Sequence, residues 1–219
     1  MATITTVATT PSWVMTYDSL TLIVLQYLER SDQATINAIP TFITLAEFEI
    51  AQEIKTLGQL QIASATMTSG NPVLQKPSRW RKTVSFNITN TSGVRSPVLL
   101  RKYEYLTNYS TNNTVTGVPL YYSDTSWDFW YVAPTPDQAY SFEVLYYERI
   151  EPLSSLNQTN WLTQNAPNAM LFGTLLQAMP FLKNDQRQIF QQKYLEAIKS
   201  LKDEDVSRVA DRQSIAVDS

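Results

Sequence analysis

The spacing of apolar residues changes twice along this chain, and these changes constrain its fold more than any other feature. Before residue 70, apolar residues such as Ile43, Ala46 and Ile50 recur every three or four positions, which is the period of an amphipathic helix. Between residues 71 and 152 the period falls to two and aromatic residues become frequent, which is typical of half-buried strands. The helical period then returns, so the sequence predicts helices on both sides of an inserted sheet.

Capping residues and prolines set the predicted helix ends. Thr16 can cap the first helix, and Asp185 with Gln188 can form a capping box for the last one. Pro40 is predicted to lie in the first turn of the second helix, where proline costs little, and Pro180 is predicted to bend or end the third. The four predicted helices span residues 17–29, 37–63, 167–180 and 185–201.

Turn-forming clusters divide the middle of the chain into short strands. These predicted strands span residues 79–88, 98–106, 120–122, 129–133 and 140–148. The predicted fold is α+β: a four-helix bundle with an antiparallel β-rich insertion between helices 2 and 3 and flexible terminal arms. Its predicted parts are an N-terminal arm at residues 1–15, the bundle at 16–70 and 153–202, the inserted β domain at 71–152 and a C-terminal tail at 203–219.

The chain lacks the residues on which most catalytic and metal chemistry depends. It contains no cysteine and no histidine, which excludes disulfides, thiolate catalysis and the commonest ligands of zinc. Pairs of carboxylates, as in glycoside hydrolysis, are the acid–base chemistry that remains. Asp124 with Asp128 and Glu143 with Glu148 are such pairs, but nothing in the sequence brings either pair to a cleft. We therefore predict no enzyme, no cofactor and no metal.

The charge of the chain argues against tight binding to nucleic acid. Lys and Arg number 17 against 20 Asp and Glu, so the formal net charge is −3 and the pI is near 5.0, whereas phosphate binding needs a basic surplus. The run Arg79-Trp80-Arg81-Lys82 could still contact phosphate, with Trp80 stacked on a base. Alternatively it forms a solvated strand face over a buried tryptophan, with Arg79 and Arg81 on one side and Trp80 and Lys82 on the other.

The first residues give no reason to expect a targeting signal. The first ten residues, MATITTVATT, have no basic region, and the longest apolar run, residues 22–25, is far shorter than the about 20 residues that span a bilayer. We expect a soluble protein that is made and used without export.

Five short motifs follow one another between residues 146 and 182. They are Tyr146-Tyr147, Ile150-Glu151-Pro152-Leu153, Asn160-Trp161-Leu162, Ala166-Pro167 and Pro180-Phe181-Leu182. In this order they resemble the head-to-tail adaptor (connector) proteins of tailed bacteriophages, and the chain is similar to the podovirus adaptors and the tail tubular protein A of short-tailed phages. The resemblance extends with interruptions from Thr16 to about Leu201, and it is least detailed in the inserted sheet.

This resemblance implies a structural protein of the virion, made in the host cytoplasm. Such adaptors form a homo-oligomeric ring, usually of twelve subunits, between the portal protein and a tail, nozzle or other neck protein, and the ring lines the DNA channel with only transient contact to DNA. The resemblance also implies that the C-terminal tail reaches the portal. The candidate portal-binding residues are Asp203, Val206, Arg208, Val209, Arg212, Ile215 and Val217, and the candidate channel or interface residues are Arg79, Arg81 and Lys82.

A second function remains open from the residues themselves. The aromatic insertion could form a carbohydrate- or receptor-binding surface of a virion, using Trp127 and Trp130, although core packing is the commoner use of aromatic residues in a small sheet. Loss of glycan binding on Trp127→Ala or Trp130→Ala would distinguish this function from that of an adaptor.

Overall fold

The computed structural model describes residues 14–54, 59–90, 92–112, 114–182 and 187–214, and the side chains of residues 208–214 lie outside this description. The chain divides into two compact units. Unit 1 comprises Met1–Thr56 and Ile150–Ser219, and unit 2 comprises Leu57–Arg149. Within the described residues, no helix has both the length and the apolar character needed to cross a membrane.

Six helices occur in the described part of the chain, five in unit 1 and one in unit 2. They are α1 (Tyr17–Leu28), α2 (Gln33–Glu53), α3 (Tyr103–Tyr109), α4 (Trp161–Asn165), α5 (Pro167–Leu182) and α6 (Arg187–Ser214). Only α3 belongs to unit 2.

The ends of the first two helices follow from local side-chain chemistry. Thr16 caps α1 in a reciprocal capping box with Ser19, as Thr16 was predicted to do. Asp32 caps α2, its carboxylate accepting from the Thr35 N–H at 3.0 Å. The predicted start near Pro40 is therefore wrong, because Asp32 supplies an earlier cap and Pro40 lies inside α2. The predicted extension to residue 63 is also wrong, since α2 ends at Glu53.

The core of unit 1 forms where α2, α5 and α6 pack together. Ile43 and Ile50 of α2, Leu175 of α5 and Ile198 of α6 are all buried in one cluster. A Cβ atom at Gly173 would lie 3.4 Å from the Ala46 Cβ and 3.4 Å from the Tyr194 ring. Small residues therefore allow α5 to approach both neighbouring helices closely.

Ten strands occur in the described part of unit 2. They are β1 (Leu60–Thr66), β2 (Val73–Gln75), β3 (Trp80–Thr89), β4 (Arg95–Pro97), β5 (Leu99–Leu100), β6 (Thr116–Gly117), β7 (Tyr121–Ser123), β8 (Phe129–Ala133), β9 (Thr135–Pro136) and β10 (Ser141–Glu148). They form sheets with the orders β1-β10-β3-β4, β2-β8-β7-β5 and β6-β9. Aromatic residues fill the core, and the Phe86 ring lies 5.6 Å from Trp130 and 5.4 Å from Phe142.

The predicted four-helix bundle with a single antiparallel insertion is wrong, although the fold is α+β. Six helices and three sheets are present in the described ranges, and the pairs β5–β7 and β6–β9 are parallel. The strand predicted over residues 98–106 is wrong in its second half, where residues 103–109 form α3. The alternating Tyr103 and Tyr105 do not form the buried face of a strand, since both are exposed and Leu106 is buried.

The terminal arms also differ from the prediction. Met15 is buried in the core of unit 1 and so is not part of a loose arm, while residues 1–13 lie outside the described residues. The tail predicted to be flexible from Asp203 continues α6 as far as Ser214. Asp185, the predicted cap of the last helix, also lies outside the described residues.

Candidate assembly site

Residues 150–160, here called the 150–160 loop, are held to unit 1 by one buried carboxylate. Glu47 of α2 accepts from the backbone N–H of Leu153 at 3.1 and 3.3 Å and from the Asn160 Nδ2 at 2.7 Å. Glu47 is only 7% exposed, and Asn160 is also buried. A single side chain therefore fixes both ends of the loop against the long helix α2.

Burial dominates the electrostatics of this carboxyl group. Removal from water raises the pKa of Glu47 to about 7, because burial penalises the charged form, while the bonds from Leu153 and Asn160 oppose the rise. The Glu47 carboxyl therefore changes charge near neutral pH in the folded protein.

Asn160 has a second role at the start of α4. Its side chain accepts from the Thr163 N–H at 3.1 Å, and its own N–H donates to the Thr163 hydroxyl at 2.9 Å. This reciprocal capping box begins α4 at Trp161, whose half-buried ring packs on the core of unit 1. The motif Asn160-Trp161-Leu162 thus combines a helix cap, a core contact and a bond to Glu47.

The 150–160 loop exposes Leu156 to solvent while hydrogen bonds hold its backbone in place. The Gln158 carbonyl accepts from the Tyr17 N–H at 2.7 Å, and the Gln158 side chain accepts from the Asp18 N–H at 3.1 Å, which ties the loop to α1. The Asn157 side chain donates to the carbonyl oxygen of Pro152 at 2.8 Å, and Pro152 itself is exposed. Leu156 is 98% exposed on this braced loop.

The remaining motif residues have local packing roles. Tyr146 is buried in the core of unit 2 and Tyr147 is half-buried opposite Lys82. Pro167 is the first residue of α5, as predicted, but Pro180 does not end α5, which continues to Leu182. The half-exposed Phe181 ring lies edge-on to Phe42 at 5.5 Å, and Leu182 packs on the core of unit 1.

The candidate portal-binding residues lie on or after α6. Among the residues of α6 whose side chains are described, Leu201 is the last that is buried, whereas Asp203 and Val206 are exposed. Two contacts with Glu53 hold α6 against α2: the Tyr194 hydroxyl donates to its carboxylate at 3.2 Å, and Lys202 pairs with it at 3.6 Å. Arg208, Val209 and Arg212 lie in the helical part whose side chains are not described, and Ile215 and Val217 lie outside the described residues.

The basic residues at the start of β3 are largely engaged within unit 2. Arg79 pairs with Glu148 at 3.1 Å, and burial together with Arg149 lowers the pKa of Arg81. The pairing of β3 with β10 shifts register at two points. Because of these shifts Trp80 is buried and Lys82 is exposed, so the prediction that they share a strand face is wrong.

A buried lysine that sequence reasoning missed organises the tryptophans. The Lys76 Nζ lies 3.4 Å from the centre of the Trp80 ring and 5.7 Å from that of Trp130. It also binds the Asp124 carboxylate and donates to the Ser126 carbonyl at 2.6 Å. A lone lysine in a polar stretch gives no sequence signal of burial, since lysine is usually exposed.

The two tryptophans considered from the sequence for a sugar-binding surface differ in exposure. Trp130 is 1% exposed, and its indole N–H donates to the Thr83 hydroxyl at 3.0 Å. Trp127 is 63% exposed, but the Arg149 guanidinium lies 4.4 Å from its ring centre. Only one of the two tryptophans is therefore available to a ligand.

Unit 2 instead exposes a tyrosine surface, which consists of Arg101, Tyr103, Tyr105, Tyr109 and Tyr121. The Tyr105 and Tyr109 rings contact the Tyr121 ring edge-on at 5.2 and 4.9 Å. The Arg101 guanidinium lies 5.7 Å from the centres of both Tyr105 and Tyr121. Exposed tyrosine and arginine together are typical of the centre of protein–protein interfaces.

Three of the four candidate catalytic carboxylates are engaged in ion pairs. Asp124 binds Lys76, Glu143 pairs with Arg95 at 3.3 Å and Glu148 pairs with Arg79. Within the described ranges, no group of acidic residues could hold a metal ion.

Comparison with known proteins identifies a family for this chain. Residues 15–216 match the family model described as SU10 adaptor protein. No curated protein matches the chain. The family match includes the helices of unit 1, the 150–160 loop and the whole of unit 2.

Proposed function

The chain belongs to the SU10 adaptor protein family, and from this membership we propose that it joins the head of a tailed phage to its tail as a structural component of the virion. The observation that carries the proposal is the family match over residues 15–216. The role requires binding to other proteins and no chemical reaction.

We propose that copies of the chain form a closed ring, of twelve subunits by the habit of such adaptors, with the portal on one side and a tail or neck protein on the other. A ring needs two different surfaces on each subunit, since head-to-tail contacts close only when one patch meets another. The tyrosine surface of unit 2, where aromatic rings and an arginine lie together, is suited to one such contact.

The charge of the chain suits a channel through which DNA moves. Each phosphate that a protein neutralises adds salt-dependent affinity, so a strongly basic lumen would hold the genome in place. The chain has a net charge of −3, and Arg79 pairs with Glu148. We therefore propose only transient DNA contact, with Arg81 and Lys82 as the candidate residues.

Native mass spectrometry of the purified chain, alone and after mixing with the portal ring of the same virion, tests this function. We expect a monomer alone and a defined multiple of subunits, twelve for a dodecamer, on the portal. A chain that remains monomeric in the presence of the portal would contradict the proposal. A portal from an unrelated phage is the matched control and should recruit no subunits.

A further inference from the structure

Strand β1 leaves a long hydrogen-bonding edge of unit 2 open. It pairs with β10 over seven residues, from Leu60 opposite Tyr147 to Thr66 opposite Ser141, without a shift in register. On its other side no strand of the described chain pairs with it, because β1 is the end of its sheet. Every second residue of an edge strand points its N–H and C=O away from its partner. These groups are available to another strand.

The β1 edge lacks the features that normally protect an edge strand. Its sequence, LQIASAT, contains no charge, proline or glycine, whereas native edges are usually short, charged or interrupted by proline. The opposite edge of the same sheet, β4, has only three residues and includes Arg95 and Pro97. The edge strands β2 and β5 of the second sheet have three and two residues. The β1 edge is thus open to pairing with a further strand.

The chain itself contains a segment that suits this edge. Residues 2–10, ATITTVATT, are uncharged, and seven of the nine are β-branched, the residue type favoured in strands. They precede Met15, which is buried in the core of unit 1 and so fixes the point from which the segment starts. The seven residues of β1 span about 23 Å at about 3.3 Å per residue, a length that nine extended residues can cover.

We propose that residues 2–10 of one copy add to the free edge of β1 in a neighbouring copy. This inference rests on the proposed ring and identifies one of its contacts. Main-chain hydrogen bonds would supply the affinity, as in other cases of strand addition. Because the donor segment and the acceptor edge are different surfaces, the contact is head-to-tail, as a ring requires.

Cysteine cross-linking on the assembled ring tests the contact, because the natural chain has no cysteine. One variant carries Ile62→Cys on β1, where the side chain is exposed. A second set carries a single cysteine at each of residues 3–8 in turn. The two kinds of variant are mixed on the portal, oxidised and separated without reductant. We expect a cross-linked dimer for at least one position, since a disulfide forms only between Cα atoms about 4.4–6.8 Å apart.

The control replaces Ile62→Cys with Val84→Cys, which is also exposed but lies on the inner strand β3 of the same sheet. It should give no dimer. If the ring forms on the portal but no position cross-links to Ile62→Cys, the strand contact is wrong and the proposed function stands. If no ring forms, both are wrong.

Two other products would also overturn the inference. A dimer from Ile62→Cys alone would mean that β1 pairs with β1 of another copy. In a double variant with Ile62→Cys and Thr5→Cys, an internal disulfide in the monomer would mean that the segment reaches its own β1. Mass spectrometry of the oxidised products distinguishes both from the expected contact.

Discussion

At the scale of single residues, Glu47 explains why the 150–160 loop is tied to a distant part of the chain. Its carboxylate lies 106 positions from Leu153 and 113 from Asn160, yet it accepts hydrogen bonds from both. An alanine at residue 47 would leave two buried donors without an acceptor, at about 1–3 kcal/mol each. The carboxyl group therefore orders the loop even though its ionised form is disfavoured by burial.

The raised pKa of Glu47 predicts a specific dependence of stability on pH. Between pH 4.5 and about 7 the folded carboxyl keeps its proton while the unfolded one ionises. The contribution of Glu47 to the free energy of unfolding should therefore be greatest below pH 4.5 and fall through this window, by about 3 kcal/mol in total at about 1.4 kcal/mol per pH unit. Glu47→Gln, which keeps an acceptor but cannot ionise, should remove this contribution.

Urea unfolding of the wild type and Glu47→Gln at pH 4.5 and pH 8 measures the effect. From pH 4.5 to pH 8, the free energy of unfolding of the variant should rise by about 3 kcal/mol relative to that of the wild type. Glu29→Gln, an exposed change at the end of α1, should not alter the wild-type difference because it leaves the Glu47 carboxyl in place. Parallel curves for the wild type and Glu47→Gln would show that the group does not titrate in this window.

At the scale of elements, the end of α6 is the candidate link to the portal. Leu201 is the last residue that packs on the core in the part of α6 whose side chains are described, and Asp203 and Val206 are exposed. Deleting residues 203–219 should therefore abolish binding to the portal ring while leaving unit 1 folded. Co-sedimentation with the portal and thermal unfolding followed by circular dichroism measure the two expectations.

A point variant makes the tail experiment sharper. Val206→Asp changes an apolar side chain that is 68% exposed and should weaken portal binding without changing the melting temperature. Val84→Asp is the matched control, because it makes the same substitution at an exposed valine of unit 2. It should leave portal binding unchanged. Full portal binding by the deleted chain would remove the tail from the proposed interface.

The elements also show which local signals sequence reasoning can use. Thr16 and Pro167 act within a few residues of themselves, so the starts of α1 and α5 were predictable. The predicted start of α2 is too late because it rests on Pro40 as a first-turn residue, whereas the helix begins after the cap at Asp32 and contains Pro40 in its interior. α3 was missed because the alternation of Tyr103 and Tyr105 imitates a strand while both rings stay exposed.

At the scale of the whole molecule, the candidate site was predictable as a motif but not as a set of contacts. The order of motifs around Asn160 and Trp161 identified the family from sequence. The bond from Asn160 to Glu47 and the ion pair of Lys76 with Asp124 join residues far apart in the chain. Such contacts depend on how the elements pack together. The spacing of residues in a single sequence indicates the elements but not which of them pack against each other.

The division into two units predicts that unit 2 folds on its own. Its aromatic core includes Trp80, Phe86 and Trp130, and its first and last strands are paired, with Leu60 opposite Tyr147. The two chain segments that enter and leave unit 2 therefore lie side by side, and residues 57–149 can be excised without breaking a strand. We expect this fragment to unfold cooperatively on heating.

Near-ultraviolet circular dichroism gives the decisive signal for the excised fragment. The Trp80 ring lies edge-on to Trp127 at 6.0 Å and to Trp130 at 6.4 Å, so fixed packing of the three indoles should give a strong aromatic band. Trp80→Phe is the control, because it should weaken this band while the fragment still unfolds in one transition. A fragment without the band would mean that unit 2 needs unit 1 to pack its core, and the proposed boundaries of an independent inserted domain would then be wrong.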